Sequence, residues 1–118
     1  MHEPLRVLFV EDDPAVRMGA VQALQLHGIE VQAFERAEPV ARQVKMGFPG
    51  IVISDIRLPG IDGLALLQQL RQVDPTLPII LVTGHGDISI AVESMRCGAY
   101  DFIEKPFSSE QLVDVAQR

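Results

Sequence analysis

Cysteine, tryptophan and long apolar runs are almost absent from this sequence, and their absence excludes several classes of protein. The single cysteine, Cys97, has no partner for an internal disulfide, so the pattern is not that of a small disulfide-stabilised secreted domain. No apolar run reaches the roughly 18 residues that a membrane span requires, and the N-terminal stretch MHEPLR lacks the apolar segment of a secretory signal. We therefore expect a cytoplasmic protein that makes no membrane contact.

Positive charge is also scarce. The chain has 10 lysine and arginine residues against 16 aspartate and glutamate residues, which gives a formal net charge of −6. The basic residues are scattered and form no run that would follow a phosphate backbone. We expect no direct nucleic acid contact by this domain, because such contacts depend on clustered lysine and arginine.

The apolar content is sufficient for one domain. The chain has 118 residues, of which 47% are hydrophobic, and this suffices for one continuous core. We expect residues 1–118 to form a single domain. The last predicted helix still continues at Arg118 without a stop signal, which suggests a segment of a longer protein.

Short β-branched runs alternate with stretches of helical period, which predicts parallel strands joined by crossover helices. The predicted strands are Leu5–Val10, Ile29–Phe34, Ile51–Ser54, Ile79–Val82 and Tyr100–Ile103. The predicted helices are Pro14–His27, about Ala37–Met46, Leu64–Val73, Ile88–Cys97 and a last one capped by Ser108 or Ser109. The third and fourth strands are almost wholly apolar, as in the centre of a parallel sheet, whereas the second alternates like a half-exposed edge strand. The predicted fold class is α/β, with a doubly wound parallel sheet.

Polar residues follow four of these strands at the carboxyl edge of the sheet, where open α/β sheets bind their ligands. They are Glu11, Asp12 and Asp13 after the first strand, Asp55 after the third, Thr83 after the fourth and Lys105 after the fifth. Carboxylates gathered at one place repel each other unless a hard cation lies between them, and Mg²⁺ prefers such oxygen ligands. We expect a magnesium site here. Asp13 has a simpler interpretation as the cap of the helix that begins at Pro14.

Asp55 is the candidate nucleophile of this cluster. An aspartate can accept a phosphoryl group when a metal and a fixed cation offset the charge. Lys105 would supply the cation, and the Thr83 hydroxyl would donate to a phosphoryl oxygen. This interpretation requires an exposed Asp55 carboxylate close to Asp12 and Lys105. The simpler alternative is that Asp55 only starts the turn before LPG.

Four motifs resemble, in this order, those of the receiver domains of bacterial two-component response regulators, and they cover essentially the whole chain. The motifs are EDD, SDIRLPGIDG, VTGHGD and GAYDFIEKPF. The resemblance implies a flavodoxin-like (βα)5 sandwich with strand order 2-1-3-4-5, and it implies that Asp55 is the phosphoacceptor. It further implies that Asp12 binds Mg²⁺ directly, that Glu11 acts through water, and that the Arg57 backbone carbonyl completes the metal site. The family frequently has aspartate where this chain has Glu11.

The same resemblance implies a conformational switch formed by Thr83 and Phe102. Phosphorylation would draw the Thr83 hydroxyl inward, and the ring would follow. The family often has tyrosine in place of Phe102, so this ring would signal by packing alone, with partial help from Tyr100. A plain core role for Phe102 is the alternative. Lys105–Pro106 resembles the family's cis-proline junction, and His85 is expected to be a solvent-facing loop residue.

The stretch TGHGDISIAVESMRCGAYDFIEKPF resembles receivers of the NtrC class, especially dicarboxylate-transport regulators of the DctD type. Such regulators carry an ATPase output domain that activates sigma-54 polymerase, and that domain would lie outside this segment. Receivers of the FixJ type share similar motifs but carry a helix-turn-helix output, and a free-standing receiver is a further alternative. The expected partners are a sensor histidine kinase, the output domain and a second copy docked through the fourth helix, last strand and last helix.

A second class of protein fits part of the pattern. Phosphatases of the haloacid dehalogenase type use an aspartate nucleophile and magnesium, but they place a second acid two residues later, where this chain has Arg57. No GxxxxGK or GxGxxG motif indicates a nucleotide site. We therefore expect a self-phosphorylating switch and not an enzyme with turnover.

Overall fold

Five strands alternate with five helices along the part of the chain that the computed structural model describes, residues 5–84 and 87–117. The strands are β1 (Arg6–Val10), β2 (Glu30–Phe34), β3 (Ile51–Asp55), β4 (Ile79–Thr83) and β5 (Asp101–Glu104). The helices are α1 (Pro14–Leu26), α2 (Glu38–Gln43), α3 (Gly63–Val73), α4 (Ile88–Arg96) and α5 (Ser109–Gln117). All neighbouring strands are parallel, and their order is β2-β1-β3-β4-β5. The predicted fold class and strand order are confirmed.

The sheet divides the core into two layers. One layer packs strand side chains against α1 and α5, and it includes Val7, Phe9, Leu24, Ile53, Ile80, Ile103 and Leu112. The other layer packs the opposite face against α2 and α3, and it includes Leu8, Val40, Val52, Leu66, Leu70 and Leu81. Every residue of β3 and β4 is buried, which explains why these two strands are nearly all apolar in sequence.

The inward-facing residues of the edge strand β2 become more exposed toward its carboxyl end. Ile29, just before the strand, is buried, Val31 is half-buried and Ala33 is exposed. β2 has a strand neighbour on one side only, so its carboxyl end receives less cover than the central strands.

The second helix is shorter than predicted. The structure gives α2 six residues, Glu38–Gln43, where the sequence predicted a helix to Met46. Val44 leaves the helix in an extended conformation, with its side chain buried in the core. Gly47 then takes a positive φ of 84°, and its N–H donates to Asp74 Oδ2 at 3.0 Å. Burial of Val44 and the bond to Asp74 thus end the helix early.

The residues that cap α1 and α5, the two helices next to the site, agree with the prediction. Asp13 Oδ1 accepts a hydrogen bond from the Ala15 N–H at 2.9 Å, so Asp13 caps α1. Ser108 Oγ accepts from the Gln111 N–H at 3.0 Å and caps α5. Within the described residues, none of the helices combines the length and apolar character needed to cross a bilayer.

Candidate functional site

One ammonium group joins two buried carboxylates at the carboxyl edge of the sheet. Lys105 Nζ lies 2.6 Å from Asp55 Oδ2 and 2.6 Å from Glu11 Oε1. Side-chain alternation explains this meeting, because each of the three residues stands two positions after one that faces the α1 and α5 layer, namely Phe9, Ile53 and Ile103. The period of the strands therefore brings the two acids and the lysine to the same side of the sheet edge.

The loop between β1 and α1 is held by hydrogen bonds to the backbone groups of Glu11 and Asp13. The Glu11 N–H donates to the Phe34 carbonyl at 2.9 Å, and Arg17 Nη1 donates to the Glu11 carbonyl at 2.8 Å. The Asp13 N–H donates to Glu11 Oε2 at 3.2 Å. Since Lys105 binds the other oxygen, both carboxylate oxygens of Glu11 are fixed.

Asp55 is the last residue of β3, and both of its carboxylate oxygens also have partners. The Arg57 N–H donates to Oδ1 at 3.1 Å, and Lys105 donates to Oδ2. Behind the residue, α3 begins at Gly63, where an added Cβ would lie 2.4 Å from the Asp55 carbonyl oxygen. Glycine is therefore required for α3 to start this close to the end of β3.

The ionisation of the cluster follows from burial and pairing. Burial raises the pKa of Glu11 from 4.5 to about 6, although the hydrogen bonds from Lys105 and the Asp13 N–H oppose the rise. Burial lowers the pKa of Lys105, but its hydrogen bonds to Asp55 and Glu11 outweigh this effect and leave the pKa above 10.5. Lys105 is therefore cationic at neutral pH, whereas Glu11 titrates in the mildly acidic range.

Glu11, Asp12 and Asp55 form the acidic cluster that the sequence predicted. One carboxylate oxygen of each lies within 4.8 Å of the others. Three hard oxygen donors suit Mg²⁺, which needs few protein ligands because it keeps several waters. The exposed position of Asp12 leaves one side open to solvent, so the residues present fit this ion. A ligand role for the Arg57 carbonyl stays a prediction.

Asp55 is not the exposed carboxylate that the interpretation of the sequence required. The residue is only 5% exposed, because the Lys105 ammonium and the Arg57 N–H cover its two oxygens. Its proximity to Asp12 and Lys105 is nevertheless present. The group that covers Oδ2 is the tip of a flexible side chain that is itself 29% exposed.

Thr83 and Phe102 lie on one face of the sheet. Thr83 is fully buried, and its hydroxyl donates to the Ile103 carbonyl over a long 3.4 Å. Phe102 is half-buried and is aligned with Leu81, which lies two residues before Thr83 on β4. Thr83 and Phe102 therefore project to the same side. This placement is compatible with a switch, whose operation stays a prediction.

The Lys105–Pro106 peptide bond is cis, as the resemblance implied. Tyr100 precedes β5 and does not lie on it, and its N–H donates to the Ile79 carbonyl at 2.8 Å. His85 lies outside the described residues.

A sequence profile of the family described as "Response regulator receiver domain" matches residues 7–117, which is nearly the whole chain. The chain belongs to the response regulator receiver family.

The relatives of this receiver domain include regulators of the types that its motifs resembled. It is 49% identical over 113 residues to the C4-dicarboxylate transport transcriptional regulatory protein DctD of Pseudomonas aeruginosa, covering 96% of this chain and 24% of that protein. It is 38% identical over 112 residues to the DNA-binding transcriptional regulator NtrC of Escherichia coli, covering 95% and 24%. The resemblance to the NtrC class and to DctD is confirmed. The chain spans about a quarter of the length of these relatives.

Solved structures agree with the fold of the receiver domain. Full-length FixJ from B. japonicum superposes with a TM-score of 0.85 at 35% identity, covering 98% of this chain and 57% of that one. A CheY-like response regulator receiver domain protein from Methanospirillum hungatei superposes with a TM-score of 0.88 at 29% identity, covering 98% and 92%.

The sequence did not predict one ion pair of this receiver domain, between Arg57 and Asp87. Arg57 Nε lies 3.0 Å from Asp87 Oδ2, and Arg57 Nη2 lies 2.6 Å from Asp87 Oδ1. Asp87 is 5% exposed. Asp87 lies directly before α4, and no pattern in the sequence links it to Arg57.

Proposed function

We propose that Asp55 of this receiver domain accepts a phosphoryl group from a phosphohistidine of a sensor histidine kinase, in a magnesium-dependent reaction. The contacts of Asp55 carry this proposal. The carboxylate ends a central strand, a lysine ammonium lies 2.6 Å from one of its oxygens, and two further acids stand beside it. This set combines a nucleophile, a fixed cation and oxygen ligands for a metal, which are the parts that phosphoryl transfer to an aspartate needs.

In the proposed step, a carboxylate oxygen of Asp55 attacks the phosphorus of the donor. The new P–O bond forms as the P–N bond of phosphohistidine breaks, and the histidine nitrogen keeps the bonding electron pair. The negative charge now lies on the transferred phosphoryl oxygens, so the Lys105 ammonium leaves the Asp55 carboxylate and pairs with these oxygens. The Thr83 hydroxyl turns from the Ile103 carbonyl, which it reaches only at 3.4 Å, and donates to a phosphoryl oxygen.

Glu11, Asp12 and Asp55 would hold the magnesium ion, Asp12 directly and Glu11 through water, with the Arg57 carbonyl as a further ligand. A bound Mg²⁺ would offset the charge of the transferring group. Because the pKa of Glu11 is about 6, a proton competes with the metal for this site below that pH.

The proposed output surface is the face formed by α4, β5 and α5. Ile88, Val92 and Met95 are 53%, 48% and 41% exposed at helical spacing along α4, and we call this row the α4 stripe. Large apolar side chains that lie together in water are typical of a docking surface. We propose that the switch of Thr83 and Phe102 changes this face, which then contacts the output domain or a second copy.

We further propose that residues 1–118 are the receiver of a regulator with an output domain that activates sigma-54-dependent transcription, of the dicarboxylate-transport type. The 49% identity to DctD supports this choice. The alternative is a FixJ-type regulator, since FixJ of Bradyrhizobium diazoefficiens is 38% identical over 106 residues. The gene sequence beyond Arg118 decides, because a GxxxxGK motif favours the first and a helix-turn-helix alone favours the second.

Beryllofluoride, which mimics an aspartyl phosphate, tests the mechanism. With Mg²⁺ it should shift the backbone amide resonances of Thr83 and Phe102 in an NMR spectrum of the wild-type protein. The Asp55→Asn variant keeps the size of the side chain and should show no such shifts. Unchanged wild-type spectra at saturating beryllofluoride, or equal shifts in Asp55→Asn, would count against the mechanism.

A further inference from the structure

The N-terminus of α4 differs from those of α1, α3 and α5. Asp13, Asp62 and Ser108 each accept a hydrogen bond from a first-turn backbone N–H of the helix that follows them. Asp87 occupies the same position before α4, but its carboxylate caps no N–H of that helix. Among the helices of the described residues, α4 alone has neither a side-chain cap nor an acidic residue in its first turn, because the uncapped α2 has Glu38 there.

The Asp87 carboxylate instead forms a bidentate ion pair with Arg57, at 2.6 and 3.0 Å. The hydrogen bond from Arg57 holds the pKa of Asp87 below 3.8, so the carboxylate is ionised at neutral pH and is fit to serve as a cap. Asp87 therefore has two mutually exclusive uses, as the partner of Arg57 or as the cap of α4.

Arg57 stands between the candidate phosphoacceptor and α4. Its backbone N–H donates to Asp55 Oδ1 at 3.1 Å. The hydrogen bond to Asp87 and the negative charges of Asp87 and Asp55 raise the pKa of the Arg57 guanidinium. Its side chain is 72% exposed and lines a cleft of about 550 Å³ together with Asp12 of the acidic cluster and Ile90 of the first turn of α4. The guanidinium thus borders a cleft that reaches the acidic cluster through Asp12 and the first turn of α4 through Ile90.

Accepting the proposed phosphorylation of Asp55, we propose that Arg57 is a second cation for the phosphoryl group, and that its transfer from Asp87 to the phosphoryl oxygens frees Asp87 to cap α4. The planar guanidinium fork pairs with two phosphate oxygens as well as with a carboxylate. A phosphoryl group carries about −1.5 to −2 charges at neutral pH, so it outcompetes the single charge of Asp87. The new cap orders the first turn of α4, which contains Ile88, the first residue of the α4 stripe. One exchange of partners thereby links the site to the docking surface.

Amide hydrogen exchange in the first turn of α4 tests this exchange of partners. A cap acts on the second and third helical residues, here Ser89 and Ile90. In the wild-type protein, beryllofluoride with Mg²⁺ should slow exchange of these two amides by about threefold or more, which corresponds to the low end of what a cap contributes. The cap should be absent before the addition and present after it.

Three variants separate pairing from capping. Arg57→Ala releases Asp87, so Ser89 and Ile90 should exchange slowly even without beryllofluoride. Asp87→Asn should do the same, because asparagine caps helices well but cannot replace the ion pair with Arg57. Asp87→Ala has neither ability, so its two amides should exchange fast with and without the ligand.

Two controls match these variants. Asp62→Ala removes the cap of α3 and should speed exchange of the Ala65 amide while leaving the response of α4 unchanged. Arg36→Ala removes a comparable exposed arginine, which pairs with Glu38 at 3.3 Å, and should leave α4 as in the wild type.

Fast exchange of Ser89 and Ile90 in ligand-free Arg57→Ala, or a ligand-dependent slowing that survives in Asp87→Ala, would overturn the proposal. Failure of the proposed phosphorylation is distinguishable. In that case the Thr83 and Phe102 resonances of the wild type would not respond to beryllofluoride, while slow exchange in ligand-free Arg57→Ala and Asp87→Asn would still show that Arg57 and the helix compete for Asp87.

Discussion

At the scale of single residues, the account depends on Lys105. Its ammonium holds Asp55 and Glu11 together, and two acids this close would repel each other without it. Buried ion pairs contribute little net stability, because desolvation of the charges offsets their attraction. We therefore interpret the cluster as a site prepared for an incoming negative group and not as a device for stabilising the fold.

The raised pKa of Glu11 predicts a pH dependence of stability in metal-free buffer. The folded protein holds the Glu11 proton more tightly than the unfolded chain, with a pKa of about 6 against 4.5. The stability that this residue contributes is therefore fully present below pH 4.5 and is lost as the pH rises through about 6. Urea unfolding of the wild type and Glu11→Gln across this range should show the wild type losing stability relative to the variant. A difference between the two proteins that stays constant with pH would contradict the assignment.

At the scale of secondary structure elements, the contact between α3 and β3 sets the position of Asp55. An alanine Cβ at Gly63 would meet backbone atoms of Asp55 and Ile56 at 2.4 and 2.8 Å, and backbone cannot move aside as a flexible side chain can. Gly63→Ala should lower the free energy of unfolding by about 1–3 kcal/mol, as overpacking does, and should slow phosphorylation of Asp55.

Gly19 in α1 is the matched control, because among the described residues no packed neighbour lies within 4 Å of the position that a Cβ would take there. Gly19→Ala should stabilise the protein by about 0.5–1 kcal/mol, since alanine is the better helix former. Thermal and urea unfolding of both variants measure these changes. Equal stability of Gly63→Ala and the wild type would show that α3 is free to shift and does not fix Asp55.

The elements also show what the sequence could and could not predict. The strands could be predicted because the pattern of their apolar residues is a local feature of the sequence. The ends of the predicted strands then placed Glu11, Asp55 and Lys105 at one edge of the sheet. The burial of Asp55 was not predictable, because it depends on where one long lysine side chain lies. The ion pair of Arg57 and Asp87 joins residues 30 positions apart through side chains alone, and no periodic pattern records such a contact.

At the scale of the whole molecule, the domain has a proposed phosphoryl site and a proposed docking surface at two different places. The proposed phosphoryl site lies at the carboxyl edge of β1, β3 and β5, and the α4 stripe lies on an adjoining surface. The domain spans about a quarter of the length of its DctD and NtrC relatives. Phosphorylation of Asp55 is the claim from which the switch, the output face and the role of Arg57 all follow.

Mass spectrometry of the intact protein after incubation with acetyl phosphate and Mg²⁺ tests that claim most directly. The P–O bond of the donor breaks, acetate leaves, and the phosphoryl group passes to a carboxylate of the protein. We predict a single acid-labile phosphoryl group per wild-type chain, mapped to the peptide that contains Asp55, and none on Asp55→Asn. Labelling of Asp55→Asn to the same extent as the wild type would contradict the account.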